Sequence, residues 1–109
     1  MTWGDDVAYL FGGMFLTNAI PHWVSGLMGR AFQSPFAKPP GRGLSSSTAN
    51  VLWGLINFAL AYVLFAKVGA FDIRSVEHAA AAGLGVLAAS LFTARYFGRL
   101  HGGDLARGE

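Results

Sequence analysis

Charge is missing from this chain in three long blocks, and that absence limits what it can fold into more than any other feature. Residues 7–29, 43–66 and 78–94 contain no Asp, Glu, Lys or Arg, giving runs of 23, 24 and 17 residues. A soluble domain of this size has a large surface for its volume and needs charge spread along its helices. Here charged residues make up 13% of the chain, about half the share in a typical soluble domain. Blocks close to the length of a bilayer crossing make lipid the expected solvent. An ordinary soluble enzyme is excluded. A disordered chain is excluded too, because 53% of the residues are hydrophobic.

The blocks predict an all-α integral membrane protein, a single membrane domain over 1–109 with three transmembrane helices in a small bundle. The expected spans are 7–29, 49–68 and 79–98. Ser45, Ser46, Ser47 and Thr48 offer N-caps to the second helix, and Gly69 offers its stop. The third span is the weakest, since alanine and glycine contribute little to insertion. Asp5 and Asp6, with no base before the first apolar run, predict a retained helix rather than a cleavable signal.

The basic residues give an expected orientation. Arg30, Lys38, Arg42, Arg95, Arg99 and Arg107 flank one side of the three spans, and only Lys67 and Arg74 flank the other. By the positive-inside rule the N-terminus is outside and the C-terminus cytoplasmic. Small size and the acidic start point to a bacterial inner (cytoplasmic) membrane. Eight basic residues scattered over the chain make no nucleic-acid face. With no cysteine, disulfides and thiolate chemistry are excluded. No cofactor is expected, and no metal site, since His22 has neither a carboxylate nor a second His at ligand spacing.

Inside the spans the informative residues are polar, because each needs a partner in lipid. Span one carries Asn18, His22, Ser25 and Gly29 on one helix face, with Pro21 predicted to kink the helix. Span two carries Asn50, Gly54, Asn57 and Ala61 on one stripe, and span three Ala79, Gly83, Val86, Ser90 and Thr93 on a similar one. At about 1.5 Å per residue, Asn18, Asn57 and Ser90 fall near the midplane, with His22 and Thr93 one turn towards the cytoplasm. These five form the candidate intramembrane polar cluster. Gly26, Gly29, Gly54, Gly83 and Gly85 are the candidate helix-packing positions.

The loop over 30–48 contains Pro35, Pro39 and Pro40 and is expected to be extended. Phe32 and Phe36 are expected to lie on the membrane surface or a partner, with Lys38 and Arg42 facing anionic headgroups.

No Asp or Glu lies within a span, so a carboxylate-driven pump is disfavoured, and no acid can orient Ser25 and His22 for nucleophilic catalysis. The leading expectation is a non-enzymatic accessory or structural subunit. It acts through helix packing with itself, as a homo-oligomer, or with a larger membrane complex. The alternative is a homo-oligomeric channel or carrier for a small polar solute, lined by Asn18, His22 and Asn57. A membrane enzyme or quinone-site protein using His22 is the third.

Overall fold

The first charge-free block folds as one long helix, α1 (Trp3–Leu27), which runs without a break through Pro21. Proline has no N–H to give the Thr17 carbonyl. One turn earlier the Thr17 hydroxyl donates to the Gly13 carbonyl at 2.8 Å. The helix ends at Gly29, whose φ of 73° is left-handed. There Arg30 N donates to the Ser25 carbonyl at 2.9 Å and Gly29 N to the Gly26 carbonyl at 3.0 Å, which satisfies two of the orphaned carbonyls of the last turn. Gly29 therefore serves as the helix stop, with no neighbour from the other helices against it among the described residues.

The structure, a computed structural model, describes residues 3–104. Helix α2 (Ser47–Tyr62) opens on Ser46, whose hydroxyl accepts from Ala49 N at 3.1 Å, and it continues as a π-helical segment, Val63–Val68, that stops at Gly69. Helix α3 (Val76–His101) opens on Ser75, which accepts from His78 N at 3.1 Å, and ends on Gly102 at a φ of 78°.

Two of these helices, Ser47–Val68 and Val76–His101, are long and apolar enough to cross a membrane. Only 17% and 11% of their apolar windows are buried within the protein, whereas the core helix of a soluble protein would be mostly covered. Helix α1 is as long, but Thr17, Asn18, Pro21 and His22 interrupt its apolar run. Its position accounts for this composition. Helix α1 packs against both α2 and α3, which scarcely meet each other, so its polar side chains find protein partners on either side.

The two seams of α1 are built from small residues. A Cβ on Gly26 would meet the Ser47 carbonyl and Val51, and one on Gly54 would meet the Trp23 backbone, so these two glycines set the α1–α2 approach. On the other side a Cβ on Gly13 would collide with the Ala82 carbonyl and one on Gly85 with the Leu10 carbonyl. The buried face of α3 is thus Gly85 and Ala89, not the stripe through Gly83, whose surroundings are open.

The proline-rich loop is not an extended tether. Strands β1 (Phe32–Gln33) and β2 (Leu44–Ser45) pair antiparallel, Phe32 opposite Ser45, so the segment is a hairpin folded over one end of the bundle. Gly41 N donates to the Ser34 carbonyl at 2.8 Å and Gly43 N to the Pro39 carbonyl at 2.8 Å. Helix α3 holds the hairpin down. Tyr96 donates its hydroxyl to the Gly41 carbonyl at 2.8 Å, and His101 Nε2 meets Gln33 Oε1 at 2.8 Å. Gln33, Ser34 and Ala37 are buried as a result.

Candidate functional site

The polar residues of α1 and α2 meet in two layers. In the first, Asn18 Nδ2 donates to Asn57 Oδ1 at 3.1 Å, and Asn57 Nδ2 donates to the Trp53 carbonyl of its own helix at 2.8 Å. In the second, one turn towards the hairpin, His22 Nδ1 meets Asn50 Oδ1 at 2.8 Å. Asn50 and Asn57 are fully buried and His22 is 3% exposed. Buried amides in an apolar interior persist only with partners, and here every amide hydrogen of Asn50 is occupied. Its Nδ2 donates to the carbonyls of Phe32, Ser45 and Ser46 at 3.1, 3.2 and 3.1 Å.

That arrangement fixes the histidine. Turning the Asn50 amide over would set its oxygen against three carbonyl oxygens, so Nδ2 must face them and Oδ1 must face His22. An amide oxygen only accepts, so His22 carries its proton on Nδ1 and, as a neutral ring, a lone pair on Nε2. Rings enclose the imidazole. Phe32, Phe97 and Trp53 meet it edge-on at centroid distances of 5.3, 6.2 and 6.4 Å.

Of the five residues in the candidate cluster, the structure brings Asn18, His22 and Asn57 into this network and leaves Ser90 and Thr93 outside its hydrogen bonding. The Thr93 hydroxyl donates to the Ala89 and Ser90 carbonyls of its own helix at 2.8 and 3.3 Å. Thr93 still shares a cavity of about 340 Å³ with Asn18, His22 and Trp53, roofed by the hairpin. Ser90 lies beside Thr17 and Pro21 in a separate groove.

The loop residues also divide. Phe36 is 66% exposed, with its ring against Trp53 at 5.0 Å, and Lys38 and Arg42 are exposed. Phe32 is instead drawn inwards and packs between His22, Phe97 and His101, its ring 4.8 Å from Phe97. It is half-buried, with its ring edge-on to that of His22. His101 stands against the same two phenylalanines.

Asn50 and Trp53 are the members that the candidate cluster lacked. The signal for Asn50 was present, since it opens the stripe Asn50, Gly54, Asn57 and Ala61, and those four are the buried residues of α2. Nothing in the sequence marks Trp53, whose indole Nε1 is buried without a hydrogen-bond partner. Among the described residues no group of three His, Asp or Glu stands close enough to hold a metal. Comparison with protein-family models, curated proteins and solved structures finds no match for this chain.

Proposed function

We propose that this chain is a non-enzymatic accessory subunit of a cell membrane, crossing it three times and acting by helix packing with a larger membrane complex or with further copies of itself. The observation that carries the reading is the contrast between its inside and its outside. Inside, Asn18 is bonded to Asn57 and His22 to Asn50 across the α1–α2 seam. Outside, each helix turns a large apolar face away from the protein. Phe11, Leu16, Ile20 and Val24 are exposed along α1, Leu52, Leu55, Ile56 and Leu60 along α2, and Leu84, Leu87, Leu91 and Phe92 along α3. Such continuous surface is unsuited to water and suited to lipid or to other membrane helices.

The exposed stripe on α1 supports a third crossing despite its lower apolarity. The hairpin, with Lys38 and Arg42, lies at the same end of the bundle as Arg99 on α3, and Asp6 lies with Glu77 at the other end. This grouping agrees with an N-terminus outside, a cytoplasmic C-terminus and, by size, a bacterial inner membrane. A bend of α1 at Pro21 belongs to the same proposal.

Extraction in mild detergent followed by mass measurement of the intact assembly tests the reading. A complex of fixed stoichiometry larger than one chain is the expected result. A lone chain whose reconstituted vesicles pass a small polar solute, with flux lost in His22→Ala, would replace it with the carrier.

A further inference from the structure

The cavity under the hairpin has two free acceptors on its α1 wall. His22 Nε2 makes no hydrogen bond among the described residues, and the Asn50 amide leaves it as an acceptor. Asn18, one turn earlier on α1, uses its amide nitrogen on Asn57, and its Oδ1 has no partner among the described residues. Asn57 is fixed in turn by the Trp53 carbonyl, so this amide cannot be reversed without breaking both bonds. The Thr93 hydroxyl has already given its proton to its own helix. The unused donors are the amide nitrogen of Gln33, whose Oε1 meets His101, and the buried Trp53 indole N–H. The rest of the lining is mainly aromatic, with Tyr96 and Phe97 beside Trp53.

Two free acceptors in a mainly apolar pocket narrow the ligand by elimination. A carboxylate or phosphate would place charge against His22 Nε2 and Asn18 Oδ1, and a ligand with only carbonyls would leave both acceptors unpaired, at a cost. A metal ion would find one imidazole and no further His, Asp or Glu. A hydroxyl suits this lining, because it donates to the imidazole and can accept in turn from an amide N–H such as that of Gln33. Aromatic walls favour a ring behind it.

We propose that this cavity binds a neutral amphiphile with an aromatic hydroxyl, a phenol or hydroquinone, whose O–H donates to His22 Nε2 while its ring lies among Trp53, Tyr96 and Phe97. The site lies within one chain and does not rest on the accessory-subunit reading.

The test uses the full chain in lipid nanodiscs, labelled with ¹⁵N-histidine, and a short-chain alkyl hydroquinone kept reduced. Long-range ¹H–¹⁵N spectra identify the protonated nitrogen of His22 and follow it during titration. The expected results are a proton on Nδ1, a saturable shift of the Nε2 resonance, and about tenfold weaker binding of the matched dimethyl ether. That factor corresponds to one hydrogen bond of about 1.4 kcal/mol. Thr93→Leu fills the cavity without touching any bond between helices, so it should abolish the shift in a protein that remains helical. A proton on Nε2, no saturable shift, ether and hydroquinone binding alike, or an unaffected Thr93→Leu would each overturn the proposal. Failure here leaves the mass of the extracted assembly, and so the accessory reading, unaffected.

Discussion

Helix α1 is held on its two sides by different physics. Towards α2 the seam adds directional bonds, Asn18 to Asn57 and His22 to Asn50, to close backbone contact at Gly26 and Gly54. Towards α3 the seam is steric. Thr17 and Thr93 bond to their own helices, and the backbones touch at Gly13 and Gly85. In lipid, apolar surface alone gives helices no reason to associate, so either directional bonds or close backbone contact must supply it. The first cannot lose a partner without leaving a buried polar group unmet. The second tolerates loss of polarity but not an added carbon.

The largest effect is expected on the steric side. Gly85→Leu would drive a side chain into the Leu10 carbonyl. Backbone cannot step aside as a side-chain tip can, so the loss should be about 3 kcal/mol or more, with α3 displaced from α1. Gly83→Leu, two residues away and facing open space, is the internal control and should change stability by less than about 0.5 kcal/mol. Unfolding by SDS titration in mixed micelles measures both. Equal losses would mean that α3 is not seated through Gly85.

On the chemical side the critical residue is Asn50. Asn50→Leu keeps the volume and removes the group that joins His22 to the hairpin. It leaves the His22 Nδ1–H and the carbonyls of Phe32 and Ser45 short of partners in a buried place. Unmet groups of this kind cost about 1–3 kcal/mol each, less what water can repair, so a total near 2–3 kcal/mol is expected. The same variant should free the His22 tautomer, so that both protonated forms appear in ¹⁵N spectra. Stability loss with the tautomer unchanged would show that Asn50 supports the hairpin but does not orient the ring.

The same contrast explains what could be read from the chain. The α2 seam is legible, because Asn50, Gly54, Asn57 and Ala61 stand out against Leu, Ile and Phe at offsets of four, seven and eleven. The α3 seam is not. Residues 79–85 read Ala-Ala-Ala-Ala-Gly-Leu-Gly, small nearly all the way round, so a periodic pattern has no contrast from which to select Gly85 over Gly83. The hairpin was hidden for another reason. Its prolines exclude helix, but its compactness comes from Tyr96 and His101, more than fifty residues away. Phe32 looked like an interfacial aromatic because nothing local shows that Phe97 and His22 will surround it.

Smaller effects sharpen the boundary between the two seams. The Asn18–Asn57 pair should contribute about 1 kcal/mol, within the range for amides and hydroxyls bridging membrane helices. A double-mutant cycle with Asn18→Ala and Asn57→Ala isolates that coupling from the bond that Asn57 makes to the Trp53 carbonyl. Thr93→Val lies at the bottom of the scale. Valine keeps the branched shape, and the lost hydroxyl served only two carbonyls already bonded within α3. The expected change is under about 0.5 kcal/mol, measured in the same SDS titration as Gly85→Leu. If Thr93→Val instead cost as much as the amide pair, its hydroxyl would have to reach α1 through a bridging water, and the division into a chemical and a steric seam would fail at that level of the bundle.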